Sequence, residues 1–260
     1  AFSYARGVNY PSPVILQNSL GNKDLPGWLD TKEIKPEVVD HYEVSLTHEQ
    51  PGLFNASATY FHDKGWDRFR AFMYGRLGAA NYTDFFTSSA SEYQIDGLEL
   101  AGSVTPLDGL EIYGGATWLW ARAKGDDGKT QLKMPYTPSF AFQGGFKYRF
   151  LRDFQFSGDY QHLEGVYSGT SMRTASPAQP ASTFGRLTDN DRLNNIDVVN
   201  LRLDYFFSYD KLHLEEGRVF VGVDNLFDCK YGYTMEKQGN DHKLYYMPGT
   251  TFMAGFELKF

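Results

Sequence analysis

A chain of 260 residues with 25 basic and 32 acidic side chains has a formal charge of −7. Its basic residues form no run or stripe that would neutralise phosphates, which excludes a nucleic-acid-binding domain. Mean hydropathy is −0.45, and no stretch approaches the roughly 18 consecutive apolar residues of a membrane-spanning helix, so a helical membrane protein is excluded.

A membrane barrel stays open, because its strands alternate lipid-facing and lumen-facing residues and average to mild hydrophilicity. Aromatic residues make up 17% of the chain, and this excess of Tyr and Phe favours strands over helices. The single cysteine, Cys229, provides no disulfide framework and no cysteine zinc site within the chain.

In chain order, residues 1–9 read as a strand already under way at Ala1, without a visible signal peptide. This predicts that the 260 residues are the later piece of a longer polypeptide. Weaker alternation marks strands at 42–49, 53–62 and 93–104. A clear period of two follows in Leu110, Ile112, Gly114, Ala116, Trp118 and Trp120. Phe140, Phe142, Gly144, Phe146, Tyr148 and Phe150 then oppose Gln143, Lys147 and Arg149.

After a weaker strand at 153–163, Val199, Leu201, Leu203, Tyr205 and Phe207 oppose Asn200, Arg202 and Asp204, and 217–227 is again weaker. The last segment is the cleanest, with Phe252, Ala254, Phe256, Leu258 and Phe260 on one face and Met253, Gly255, Glu257 and Lys259 on the other. About ten strands result, each near the roughly 9–11 residues that cross a bilayer at a tilt. In the last strand Phe252, Phe256, Leu258 and Phe260 are expected to face lipid.

The connections alternate in length. Gln50–Gly52, Pro106–Gly109 and Leu151–Asp153 are tight turns and Ser208–Glu216 is somewhat longer, whereas 10–37, 67–92, 123–137, 168–193 and 228–250 are long. Short turns at one end and long loops at the other describe an outer-membrane barrel with periplasmic turns and outer loops. A compact soluble sandwich rarely holds several structureless loops beyond about 12–15 residues. Tyr148, Phe150, Phe154, Trp118, Trp120 and Tyr205 fall near strand ends, where aromatic girdles belong.

Several segments resemble one family in order and spacing. Val223-Asp224-Asn225-Leu226-Phe227-Asp228, then Tyr231, then Tyr246-Met247-Pro248-Gly249 and a strand closing on Phe260 are similar to the terminal signature of TonB-dependent receptors. Thr250 stands where that family has arginine after Pro-Gly. Ile34-Lys35-Pro36-Glu37 before Tyr42-Glu43, Gly97-Leu98-Glu99-Leu100 before Pro106-Leu107-Asp108-Gly109-Leu110, and Tyr4-Ala5-Arg6-Gly7 with Pro11-Ser12 resemble earlier family segments.

The resemblance covers nearly all of residues 1–260. It implies an all-β, transmembrane antiparallel barrel, with this chain as about the last ten of roughly 22 strands around a plugged lumen. The earlier barrel half and the plug domain would lie outside it. Phe256, Leu258 and Phe260 resemble the terminal signal read by the outer-membrane assembly machinery, and a strand with one apolar face and a free edge suits insertion by strand pairing.

The same resemblance implies a receptor in the outer membrane of a Gram-negative bacterium, among lipid and lipopolysaccharide. Its outer loops would capture a scarce nutrient, a ferric siderophore first, and TonB acting through the plug would drive uptake. Ligand contacts are expected from aromatic and basic side chains of the long loops: Trp28, Arg68, Arg70, Tyr74, Arg76, Tyr82, Arg173, Arg186, Tyr245 and Tyr246. Tyrosine and arginine can stack on flat chelators and neutralise anionic iron complexes.

Cobalamin, haem and other metal chelates are alternatives. Haem ranks lower, because Val8-Asn9-Tyr10-Pro11 stands where haem receptors of the family carry Phe-Arg-Ala-Pro, and Phe69-Arg70-Ala71-Phe72 lies in another loop. No cofactor and no fixed metal site is expected, since His41, His48, His62, His162, His213 and His242 lack ligand spacing. From another class, an omptin-like barrel protease would need a His–carboxylate pair at the outer rim, for which His62, Asp63 and Asp67 are the local candidates.

Overall fold

The computed structural model describes residues 1–14, 16, 34–75, 83–89, 92–124, 131–168, 191–209, 214–238 and 241–259. The chain enters through β1 (Phe2–Asn9), β2 (Glu37–Gln50) and β3 (Phe54–Trp66). After the short β4 (Phe69–Gly75) and β5 (Thr83–Ser89) come β6 (Glu92–Leu107) and β7 (Leu110–Lys124), then the two-residue β8 (Gln131–Leu132). The chain continues through β9 (Phe140–Phe150), β10 (Phe154–Glu164), β11 (Ile196–Tyr209) and β12 (Leu214–Asp224). Last come β13 (Thr234–Gln238), β14 (Asp241–Tyr245) and β15 (Thr251–Lys259).

Ten strands form one antiparallel meander in the order β1-β2-β3-β6-β7-β9-β10-β11-β12-β15, with β8 added to β7. Among the described residues no pairing joins β1 to β15, so the two outermost strands each pair on one side.

β2–β3, β6–β7 and β9–β10 pair across tight turns that fix their register, and the other neighbours in the sheet pair across longer segments. Gly52 and Gly109 take positive φ (75° and 80°) in those turns, as hairpin reversal requires. The strands run further than their alternation suggested. Residues 37–41 extend β2 and 63–66 extend β3, where charged side chains on the pleat hid the period. The expected 208–216 connection is shorter, since β11 runs to Tyr209 and β12 starts at Leu214.

The long connections also hold structure of their own. β4 pairs with β5 inside 67–92, β13 with β14 inside 228–250, and β8 with β7 inside 123–137. Their alternation was too short to be legible against the polar composition of the loops.

Across the register the two faces differ in chemistry. Phe252, Ala254 and Phe256 lie opposite Val223, Val221 and Val219, which lie beside Leu201, Leu203 and Tyr205. The apolar face thus continues unbroken from strand to strand. Phe252 is 81% exposed and Phe256 74%, areas of aromatic surface that water would not tolerate along a whole sheet and that lipid accepts. Toward the turn end, Tyr148, Phe150, Phe154 and Tyr205 pack ring on ring at centroid distances of 4.9 to 5.7 Å, forming part of an aromatic belt.

The opposite face carries Glu43, Asp63, Lys147, Asp159, Arg202, Asp204 and Arg218, the charges expected of a wet lumen.

Candidate functional site

The sheet itself encloses little. Among the described residues, most buried apolar side chains lie toward the loop end: Tyr93, Met134, Val166, Leu193, Ile196 and Val198. They are covered because the loop bases fold over the strand ends. Tyr136 N–H donates to the Tyr167 carbonyl at 2.8 Å, Ser168 N–H to Asp191 at 2.8 Å and Leu193 N–H to Val166 at 2.9 Å. Tyr167 also bridges to Arg192 in antiparallel fashion. These bonds turn the bases of two long loops into a ledge on the outer rim.

Two cation–aromatic contacts sit at that ledge. The Arg68 guanidinium lies 5.6 Å from the centre of the Tyr93 ring, and its Nη1 is 4.0 Å from Met134 Sδ. Tyr93 in turn donates from its hydroxyl to Glu37 Oε1 at 2.9 Å, which fixes the ring on the lumenal side of β6. The Lys133 ammonium lies 4.1 Å from the Tyr167 ring centre and 2.5 Å from its hydroxyl oxygen. A guanidinium or ammonium held beside a phenol ring is a cationic, aromatic surface suited to anionic or flat ligands.

The loop candidates divide accordingly. Arg68 is held at the ledge, whereas Tyr245 and Tyr246 are exposed beside β15. In sheet order β3 and β15 are far apart, roughly 30 Å along the sheet at about 4.8 Å per strand, so the structure does not bring these three together. In the backbone register Arg70 stands opposite Ser88 and Tyr74 opposite Asp84 in the β4–β5 hairpin. Trp28, Arg76, Tyr82, Arg173, Arg186, His213 and Phe260 lie outside the described residues. Phe256 and Leu258 occupy the outward face of β15.

Tyr93, Glu37, Lys133 and Tyr167 were absent from the sequence candidates. Only the position of Tyr93 at the head of the β6 alternation hinted at a rim residue.

The His62–Asp63 pair is not a pair. Adjacent strand residues point to opposite faces, so His62 reaches Asp96 on the outward face at 2.8 Å, while Asp63 receives His41 Nδ1 on the lumenal face at 2.5 Å. Asp67 takes a positive φ of 59° just after β3. Among the described residues no group of three or more His, Cys, Asp or Glu side chains converges to hold a metal ion.

The base of the last long loop is locked by the Asn-Leu-Phe-Asp segment. Asn225 is 3% exposed with φ of 51°, a left-handed conformation that asparagine tolerates. Its side chain accepts from Cys229 N–H at 2.8 Å and donates to the carbonyls of Cys229 and Pro248 at 3.0 and 3.2 Å. Its own N–H donates to Asn200 Oδ1 at 2.9 Å.

Thr250, in place of the family's arginine, donates through Oγ1 to the Asn225 carbonyl at 2.9 Å and through its N–H to Asp228 Oδ1 at 3.3 Å. Lys230 and this amide hold the Asp228 carboxyl below the usual carboxylate range. Both ends of the loop therefore meet at one side chain, and β15 starts from a fixed point.

Ten tilting strands with an apolar outer face, a charged inner face, tight turns below and long loops above define a wall of a transmembrane antiparallel β-barrel. The family model described as TonB dependent receptor-like, beta-barrel matches residues 1–226, and the chain belongs to that family. No curated protein matches the chain.

Solved structures with this fold include the copper transporter OprC, with 17% identity and a TM-score of 0.70 over 100% of this chain and 37% of that one. Fiu, the ferric-catecholate import receptor from E. coli K12, shares 16% identity at a TM-score of 0.61 over 98% of this chain and 32% of its own. FpvA from P. aeruginosa, solved with a pyoverdine–iron complex, shares 16% identity at 0.63 over 98% and 30%. The chain spans about a third of the length of these structures.

Proposed function

We propose that this chain is part of a Gram-negative outer-membrane receptor that takes up a scarce nutrient with energy from TonB, first of all a ferric siderophore. The observation that carries the reading is the rim ledge, where Arg68 on Tyr93 and Lys133 on Tyr167 place two cation–aromatic pairs at the bases of the long loops. Such pairs suit an anionic, aromatic chelate. Family membership supports the transport class; Fiu is named for a ferric ligand, and FpvA was solved with a pyoverdine–iron complex.

In this reading the chain makes and breaks no bond. The loops bind, a plug supplied by the rest of the polypeptide seals the lumen, and TonB acting on that plug opens a path inward. The outward face of β15, with Phe256 and Leu258, and the Phe260 that follows it are the part the assembly machinery would pair with during insertion.

The test is uptake of labelled ferric chelates by cells lacking the complete gene, then by cells carrying it with Arg68→Ala or Lys133→Ala. Loss on deletion and about tenfold weaker apparent affinity in each variant are expected, from roughly 1–2 kcal/mol per cation–aromatic contact. Unchanged ferric uptake with loss of copper, cobalamin or haem uptake would replace the siderophore. Copper is included because OprC is named as a copper transporter.

A further inference from the structure

On β2, β3, β6 and β7 the outward face carries two features in series along the strands. Toward the turn end of these strands, Ala56, Gly102 and Gly114 stand side by side, with Ala58, Leu100 and Ala116 in the next row. With Leu46, Leu100 and Phe142 standing around them, the alanines and glycines leave an apolar trough of about 570 Å³.

Six residues nearer the loops on the same strands stand Lys64, above Ala58, and Arg122, above Ala116. Arg6 and Lys124 lie to either side. Recessed carboxylates order these cations: Arg6 on Asp40 at 2.6 Å, Lys64 and Lys124 on Glu92 at 3.5 and 2.8 Å, and Arg122 on Asp96 at 3.6 Å.

The asymmetry between the partners decides what this cluster can receive. The side chains of Asp40, Glu92 and Asp96 are 9%, 22% and 20% exposed, whereas those of Arg6, Lys64, Lys124 and Arg122 are 57%, 40%, 48% and 57% exposed. The carboxylates lie under the cations, which form the outer surface. An anion approaching from the lipid side meets N–H donors.

Six residues at about 3.3 Å each, on strands tilted by roughly 35–45°, lift the cations about 15 Å above the trough. That is one leaflet of a hydrocarbon core roughly 30 Å thick. Between the two levels stand Tyr60, whose hydroxyl donates to Asp96 at 2.9 Å, and Trp118, as befits an interface.

We propose that this sector is a binding site for the phosphorylated glycolipid of the outer leaflet, lipid A, with a headgroup phosphate on Lys64, Arg122 and Lys124 and an acyl chain in the trough. The site rests on the orientation proposed above, with the long loops outside, and is independent of which nutrient is carried. Arginine and lysine beside one another give a phosphate both bidentate and point-charge donors. The trough seats an acyl chain against backbone because alanine and glycine leave it room.

The test uses the complete receptor in phosphatidylcholine nanodiscs doped with bisphosphorylated lipid A, dephosphorylated lipid A or phosphatidylglycerol, with bound lipid read by native mass spectrometry. Preference for bisphosphorylated lipid A is expected. Lys64→Gln, Arg122→Gln and Lys124→Gln together should weaken it about a hundredfold, at roughly fivefold per cation near a charged lipid surface.

Ala58→Phe with Ala116→Phe should weaken both lipid A forms and leave phosphatidylglycerol unchanged. Removing two lumenal cations, Lys147→Gln with Arg149→Gln, should change nothing. Equal retention of lipid A by the wild type and the triple variant overturns the site, as does equal binding of phosphatidylglycerol or an equal loss in the lumenal control. Heat-modifiable migration reads folding of every variant, and Lys64→Arg with Lys124→Arg, which keeps the charge, must retain binding. Ligand uptake by the triple variant is measured separately, so failure of the lipid site and failure of the transport reading give different results.

Discussion

Replacing Asn225 should loosen the end of the barrel more than any single change on its surface, because this one side chain ties both ends of the last long loop. Asn225→Gly keeps the left-handed backbone at no steric cost but removes the bonds to Cys229 N–H, the Cys229 carbonyl and the Pro248 carbonyl. At roughly 1 kcal/mol net for each bond, the loss is about 3 kcal/mol. Asn225→Ala loses the same bonds and adds about 1 kcal/mol for placing a Cβ at φ of 51°.

The order wild type, then Gly, then Ala is therefore the specific expectation, against the usual rule that glycine is the less stable of the two. Reversible urea titration of the complete protein in lipid vesicles, followed by tryptophan fluorescence, gives the three free energies. A glycine variant as stable as the wild type would show that the three bonds contribute nothing. An alanine variant more stable than glycine would refute the strained backbone.

Three further outcomes follow from the same structure. Phe256→Lys puts a charge near the middle of the apolar run 252–258 on the outward face of β15 and should cost roughly 2–4 kcal/mol if it meets the bilayer midplane; a cost near zero in the same vesicle titration would mean the facing is inverted. Gly109→Ala should destabilise more than Gly52→Ala, because both take positive φ but a Cβ at 109 runs into the Arg149 carbonyl while at 52 it meets open space; equal midpoints would contradict this. Asp228, held below its ordinary range by Lys230 and the Thr250 amide, contributes to the loop base above the unfolded carboxylate pKa, and that contribution is lost as pH falls through its lower folded value; the protection of the Thr250 amide relative to its intrinsic exchange rate should fall at acidic pH in the wild type, and Asp228→Asn should abolish that pH dependence.

Much of the architecture was legible because a β-barrel writes its geometry locally. Alternation from Phe252 to Leu258 follows from a strand whose successive side chains face lipid and water, and no other part of the chain is needed to see it. The alternation of tight turns and long loops likewise gave the sequential antiparallel order, since a tight turn can only return the chain to its neighbour. Legibility weakened where charge entered the outward face. The heads of β2 and β3, with Asp40, His62 and Lys64, broke the apolar period, and their strands were read too short.

Partnership was decided only by the register. His62 stands next to Asp63 in sequence but bonds to Asp96, and Tyr4 and Arg6 both find Asp40 more than thirty residues away, because cross-strand neighbours are set by where each turn falls. The ledge that carries Arg68 and Lys133 comes from three separate segments that meet through backbone bonds of no distinctive composition, with Arg68 joining from a fourth through its side chain. By itself the sequence determined the two faces of the clearly alternating strands, which depend on residues two apart, and the end at which the loops lie, which depends on segment length. Which charged side chains stand together at the rim was left to the tertiary structure, because sideways neighbours in a sheet are about 4.8 Å apart in space and arbitrarily far apart along the chain.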